Sequence, residues 1–284
     1  MSTPHHARGV ALMLASAACF TANVLLVRAL GQSESVSVWV LSAARFVVGL
    51  AVIYAFYRRA FEPSHLFRNP KLISRGLIGG ATVYAYYFTI VHLGAGRATF
   101  INNTYVIFGA LLAVWILGER FRWNLAIGSA AALAGLALLT NIFAAPIRAN
   151  PYYALAILTA LGSAYVVVTI RQLHATEHTA TIFGAQCVYG LLACIVPAIL
   201  NFASHSSLSW VLILLAGVVS AGGQIAMTAS FRILPVAEGS LLQMLVPLGI
   251  AGGGVLFFRE RFALHDLLGA ALILAGTGFT ALRR

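Results

Sequence analysis

Apolar residues fall into ten blocks along the chain, at 9–29, 37–57, 76–92, 98–117, 124–143, 152–170, 179–200, 209–229, 237–258 and 264–281. Most blocks approach the roughly 20 residues that carry an α-helix across the hydrocarbon core of a bilayer. Apolar and polar residues do not alternate within them, as the strands of a membrane barrel require. A chain in lipid must satisfy its backbone hydrogen bonds internally, so blocks of this kind predict helices. The expected fold is an all-α membrane protein with ten transmembrane helices. The first block could be taken for a signal peptide, but nine more follow it and no clear cleavage site ends it.

Composition agrees. Of 284 residues, 61% are hydrophobic and 9% charged, against about 25% charged in a soluble domain. The loops are short. The longest, residues 58–75, holds Arg58, Arg59, Arg68, Lys71 and Arg75, and none has room for a folded soluble domain.

The net charge is +11, and its placement matters more than its size. With the N-terminus on the cytoplasmic side, 12 Lys/Arg fall on that side and 5 opposite (Arg28, Arg97, Arg148, Arg259, Arg261), with Arg45 inside a helix. The positive-inside rule then puts both termini in the cytoplasm, and a bacterial inner membrane is the expected setting. No basic run is long enough to follow a phosphate backbone, so nucleic acid is not an expected partner. Lipid bilayer and a small-molecule solute are.

The chain repeats itself at a shift of about 141 in residue number. Glu119-Arg120-Phe121 falls on Glu260-Arg261-Phe262, Gly128 on Gly269, Gly135 on Gly276, Gly49 on Gly190, Arg45 on Gln186, and Asn102 on Gln243. At a shift of 143, Arg28 falls on Arg171. Each half, 9–143 and 152–281, holds five blocks. Five is odd, so the second half enters the membrane from the opposite side and the halves are inverted repeats. Such repeats place a solute site near the midplane where they meet and provide alternating access.

The stretches ATFINNTYVIFGALLAVWILGERFRWNLAIGSAAALAGLALL and GSLLQMLVPLGIAGGGVLFFRERFALHDLLGAALILAGTGF resemble EamA-type repeats of the drug/metabolite transporter superfamily. The resemblance spans nearly the whole chain. It implies ten helices and export or uptake of metabolites. The family's mid-helix proline is present as Pro247 but replaced by Val106 in the first half, so the resemblance does not imply a kink in both halves.

Candidate solute-binding residues are polar groups inside the blocks. Arg45 sits about 12 Å into its helix at 1.5 Å per residue. A charge at that depth faces a cavity or the bundle interior, or snorkels outward. It suits a carboxylate or phosphate. Asn23, Asn102, Asn103, Gln186, Gln224 and Gln243 need partners that lipid does not supply. Singly, each reads best as interhelical glue; together they outline a polar cavity, with Asn102 and Gln243 at matching positions. Tyr84, Tyr87 and Tyr165, with Tyr105, offer stacking or hydroxyl contacts, or ordinary packing.

The acidic residues all lie away from mid-span, which favours facilitated diffusion or coupling through another group. His92 and His265 sit at block ends and read as interfacial. Cys19, Cys187 and Cys194 form no ligand or redox spacing. Neither a metal site, a phosphate-binding loop, a cofactor motif nor a nucleophile with its base is present. The expectation is therefore a secondary transporter or uniporter for an amino acid or related zwitterionic or amphiphilic solute, not an enzyme. The alternatives are an integral-membrane interaction partner and a lipid-modifying enzyme without transport activity. A monomer holds a complete pathway, and a dimer is compatible with the small-residue helix faces.

Overall fold

The structure is a computed structural model that describes residues 4–34, 36–142 and 151–282. Within its helices, the side chains of Ser33, Tyr87, Val91, Thr280, Ala281 and Leu282 lie outside the described part. So do Arg148, Arg283 and Arg284, which enter the charge count above. The described residues form helices and no strand: α1 (Pro4–Ser33), α2 (Val38–Tyr57), α3 (Pro63–Arg68), α4 (Pro70–Leu93), α5 (Ala95–Asn103), α6 (Tyr105–Leu117), α7 (Trp123–Leu139), α8 (Tyr152–Leu173), α9 (Thr179–Leu200), α10 (Ser207–Ser230), α11 (Val236–Gln243), α12 (Leu245–Phe258) and α13 (Leu264–Leu282).

Among the described residues, seven helical segments are long and apolar enough to cross a membrane: Pro4–Gln32, Val38–Tyr57, Ala95–Leu117, Tyr152–Leu173, Thr179–Leu200, Ser207–Ser230 and Val236–Phe258. Trp123–Leu139 and Leu264–Phe279 are shorter apolar helices. Large apolar side chains such as Leu111, Trp115, Leu200, Leu214, Leu256 and Leu268 stand exposed on the outside. Lipid solvates such a surface and water does not. The chain is a multi-pass membrane protein.

Local chemistry sets the helix ends. Ser37 accepts from Trp39 N, Asn69 from Lys71 N with Pro70 behind it, and Ser206 from Ser209 N, each side chain filling an N-terminal donor that has no partner inside the helix. At the other ends, α6 stops at Gly118 (φ 66°) and α12 at Arg259 (φ 56°), both left-handed. Gly118 and Arg259 hold matching positions in the two repeats. Glycine takes this conformation freely, whereas arginine is strained in it.

The two broken segments also match, with their breaks offset by one residue in the repeat register. The α5–α6 break falls at Thr104 (φ −62°, ψ −11°) and the α11–α12 break at Met244 (φ −67°, ψ −7°). Pro247 explains the second, since it cannot donate to the preceding turn. The first lacks that proline, but Thr104 Oγ1 donates to Ile101 O at 2.6 Å and Asn103 Nδ2 to Thr99 O at 2.8 Å. Side-chain bonds of this kind to the preceding turn bend helices. Both halves are therefore broken, by different means.

Helix α1 packs on α10 and α4 on α8; α6 packs on α8 and α12 on α1; α2 packs on α9 and α7 on α13. At the α2–α9 contact a Cβ on Gly49 would come within 2.7 Å of Cys187 Sγ, and one on Gly190 within 2.5 Å of Phe46 Cζ. These contacts map onto each other, since Gly49 matches Gly190, and Phe46 matches Cys187, in the repeat register.

Candidate functional site

The most unusual polar group is Arg75, which the hydrophobic pattern leaves in the loop after α2. The structure starts α4 at Pro70, so Arg75 lies in its second turn and is completely buried. The Asn69 cap and the proline at the first helical position carry the signal for this earlier start. Arg75 NH2 donates to Gln186 Oε1 on α9 at 3.0 Å. Its Nε and NH1 are buried and have no hydrogen-bond partner among the described residues. Gly79, one turn further on, leaves the room that the guanidinium occupies, since any Cβ there would collide with NH1.

Arg45 and Cys187 are electrostatic neighbours of Arg75. Arg45 is half-buried and makes neither a hydrogen bond nor an ion pair among the described residues. It reaches this layer because Gly49, one turn along α2, lets that helix close on Cys187 of α9. Two cations and an amide thus meet where α2, α4 and α9 converge. No carboxylate pairs with either arginine among the described residues. Like charges in a low-dielectric interior repel strongly, and unpaired buried N–H groups each carry a desolvation cost. An anionic group inserted among them would relieve both.

The remaining candidates divide. Tyr84, on α4, donates to Gly190 O at 3.2 Å and stacks on Trp39 with centroids 4.7 Å apart. Tyr165 pairs with Ser74 Oγ at 2.8 Å, one residue before Arg75. Asn23 Nδ2 donates to Ala216 O at 2.8 Å, joining α1 to α10. Asn102 Oδ1 accepts from Ser163 Oγ at 3.4 Å, and Gln243 Nε2 donates to Ser16 Oγ at 2.9 Å. These last two tie each broken segment to the first long helix of the other half, and act as interhelical bridges. Gln224 is buried on α10, and its backbone carbonyl accepts from Thr228 Oγ1 at 2.7 Å. The Tyr87 side chain lies outside the described part. Of the predicted residues, Arg45 and Gln186 come together with Arg75, and Tyr165 bonds its chain neighbour Ser74.

Pairings at the helix ends were not legible as pairs. Arg171 Nε donates to Glu119 Oε1 at 2.9 Å, and Arg28 pairs with Glu260. Glu238 is buried against His6, with Nε2 and Oε1 2.6 Å apart. Among the described residues no group of three His, Cys, Asp or Glu could hold a metal ion.

The EamA-like transporter family matches residues 7–141 and again 150–282. The chain belongs to the EamA-like transporter family. Relatives include a pseudopaline exporter, CntI, of Pseudomonas aeruginosa PAO1, 27% identical over 270 residues, 93% of each chain. Its counterpart in strain UCBPP-PA14 is 26% identical over 268 residues with the same coverage. A solved crystal structure superposes with a TM-score of 0.76 at 20% identity, covering 94% of this chain and 98% of the other, which shows a shared fold. The EamA-like family and its named relatives point to a transporter of small molecules rather than an enzyme.

Proposed function

We propose that this chain is a secondary transporter or uniporter that moves an amino acid or related zwitterionic or amphiphilic solute across the bacterial inner membrane, outward, by alternating access. The observation that carries this reading is Arg75, wholly buried with two unpaired N–H donors beside the unpaired Arg45. A carboxylate on the solute would complete that site, with Arg75 NH1 and Nε as donors, Arg45 as second cation, and Gln186 holding the guanidinium in place. A buried charge with unpaired donors is costly, and charged residues inside membrane bundles mark solute pathways. Export is the direction in the names of the two relatives.

The architecture proposed for this transport is two inverted five-helix repeats, 9–143 and 152–281, ten spans in all, with both termini cytoplasmic. Support comes from the doubled contacts. Each long-helix pairing in one half has its mate in the other, both broken segments break within one residue of matching positions, and Arg28–Glu260 mirrors Arg171–Glu119. Inverted repeats allow one half to exchange conformation with the other around a fixed central site.

Flux in proteoliposomes tests the proposal. Purified protein is assayed with labelled amino acids and zwitterionic derivatives, with and without a proton gradient. Saturable flux of a carboxylate-bearing solute, lost in Arg75→Gln and reduced in Arg45→Ala with folding retained, is the expected result. Flux unchanged in both variants would remove the arginines from the site. Dependence on the proton gradient would replace uniport with coupled transport.

A further inference from the structure

A crevice of about 420 Å³ opens between α6 and α7, away from the arginine layer. Its inner wall is apolar, with Ile107, Leu111 and Val114 from α6 and Leu125 from α7. Ile107 and Leu111 are exposed to the surroundings, so the crevice faces lipid. Its mouth is basic: Arg120 and Arg122 line it and make no hydrogen bond or ion pair among the described residues. Among the described residues the one acidic group lining it, Glu119, is already engaged by Arg171 Nε and by the Val236 backbone N–H. Arg171 also lines the crevice and donates to Phe231 O.

Three further features mark the mouth as a headgroup position. Phe121 and Trp123 stand exposed in a T-shaped pair, centroids 5.1 Å apart, as aromatic side chains do at the membrane interface. The first turn of α7 has no side-chain cap, so its N–H groups and helix dipole add positive potential at the same level. The other half lacks this arrangement. In the repeat register Asp266 takes the place of Leu125, and its Oδ2 accepts from Ala263 N at 2.8 Å. That carboxylate neutralises its own turn.

We propose that the α6–α7 crevice is a specific site for an anionic phospholipid, its phosphate held by Arg120 and Arg122 and one acyl chain lying along Ile107, Leu111 and Leu125. The ligand is a lipid rather than free phosphate, because the apolar wall gives the acyl chain a binding surface that an inorganic ion cannot use. The site is independent of the transported solute and stands whether or not the arginine layer binds one.

Thermal unfolding and native mass spectrometry of the purified, delipidated full chain test the proposal. Phosphatidylglycerol, phosphatidylcholine and inorganic phosphate are compared. Phosphatidylglycerol is expected to raise Tm and to be retained about tenfold more than phosphatidylcholine, the gain of placing two arginines on one anionic headgroup. Inorganic phosphate at the same concentration should shift nothing. Arg120→Gln with Arg122→Gln should bring phosphatidylglycerol down to the phosphatidylcholine level. Arg58→Gln with Arg59→Gln, an equal charge change outside the crevice, should not. Leu111→Trp, which fills the wall and spares both arginines, should also abolish the preference and covers the case in which the double variant does not fold. Equal retention of the two lipids, or an equal loss in the Arg58 and Arg59 variant, overturns the site; a Tm shift from inorganic phosphate alone overturns the acyl-chain part.

Discussion

Arg171, in the last turn of α8, donates through Nε to Glu119 Oε1 at 2.9 Å in the turn that joins α6 to α7. Glu119 also accepts from the Val236 N–H at the start of α11, so one carboxylate fastens three elements. Its counterpart, Arg28 with Glu260, sits at the far end of the long helices and is more exposed, 37% and 45% against 28% and 17%. Breaking the two pairs should therefore have unequal effects. Glu119→Gln leaves Arg171 without its anion in a partly buried setting, and is expected to cost about 1–3 kcal/mol. Arg28→Gln removes a solvated pair and is expected to cost less than about 1 kcal/mol. Thermal unfolding of the two variants in one detergent checks the order. An Arg28→Gln loss equal to that of Glu119→Gln would contradict it.

Glycine contacts give a second, sharper contrast. A Cβ on Gly135 of α7 would lie 2.5 Å from the Gly269 carbonyl oxygen of α13, and one on Gly269 2.6 Å from the Gly135 carbonyl. Both obstacles are backbone, so neither can rotate away. Gly135→Ala must separate two helices and is expected to lower stability by about 1–3 kcal/mol, as overpacking does. Gly252→Ala, in α12 with nothing within 4 Å of its Cβ, should be neutral or stabilise by about 0.5–1 kcal/mol. Arg259→Gly should stabilise by about 1 kcal/mol by relieving the left-handed arginine. Denaturation midpoints of the three variants read the signs directly, and a stable Gly135→Ala protein would exclude the close crossing.

The helical, multi-pass character was legible because it rests on apolar run length, which most blocks display. The family was legible because the Glu-Arg-Phe turn and its spaced glycines recur at one fixed shift along the chain. Arg75 was not. Its position depends on one cap and one proline that move the start of α4 earlier than hydropathy alone does, and the basic residues around it read as a loop. The break at Thr104 was equally hidden, since hydroxyl and amide bonds to the preceding turn replace the proline that marks the other half. Partners across the bundle were also out of reach: Gln186 could be singled out as a buried amide, but that it accepts from Arg75 is a fact of packing between α4 and α9.

The α3 region should respond to pH. His65 Nδ1 meets Glu177 Oε2 at 3.0 Å and its Nε2 meets Glu62 Oε2 at 3.1 Å, while Asn69 Nδ2 donates to Glu177 Oε1. The bond to Glu177 raises the His65 pKa above its ordinary 6.5, Glu62 adds to the rise, and desolvation and Arg68 oppose it. A raised folded-state pKa means that the stabilisation is complete below about 6.5 and fades as pH climbs through the higher value. Docking of α3 on the α8–α9 turn should therefore weaken from mildly acidic to alkaline pH. Hydrogen-exchange protection in residues 62–69, taken relative to the intrinsic base-catalysed rate at each pH, should fall across that range in the wild type and lose this pH dependence in His65→Gln. An unchanged profile in the variant would assign the effect to another group.

Arg75 yields the prediction that bears most on function, because stability and activity should move in opposite directions. In the present state its guanidinium is fully buried, bonded only through NH2 to Gln186, with two donors unsatisfied. Replacing a poorly compensated buried charge with an apolar residue of similar volume is often stabilising, by about 1–4 kcal/mol. Arg75→Met is therefore expected to raise Tm while abolishing solute flux. Gln186→Leu acts the other way: it leaves the buried cation with no acceptor and should lower Tm by the equivalent of about 1–3 kcal/mol. If Arg75 were only a packing element, Arg75→Met would lower stability and flux together. A rise in Tm with loss of flux separates a residue retained for the solute from one retained for the fold, and parallel measurements of unfolding and flux on the same preparation decide between them.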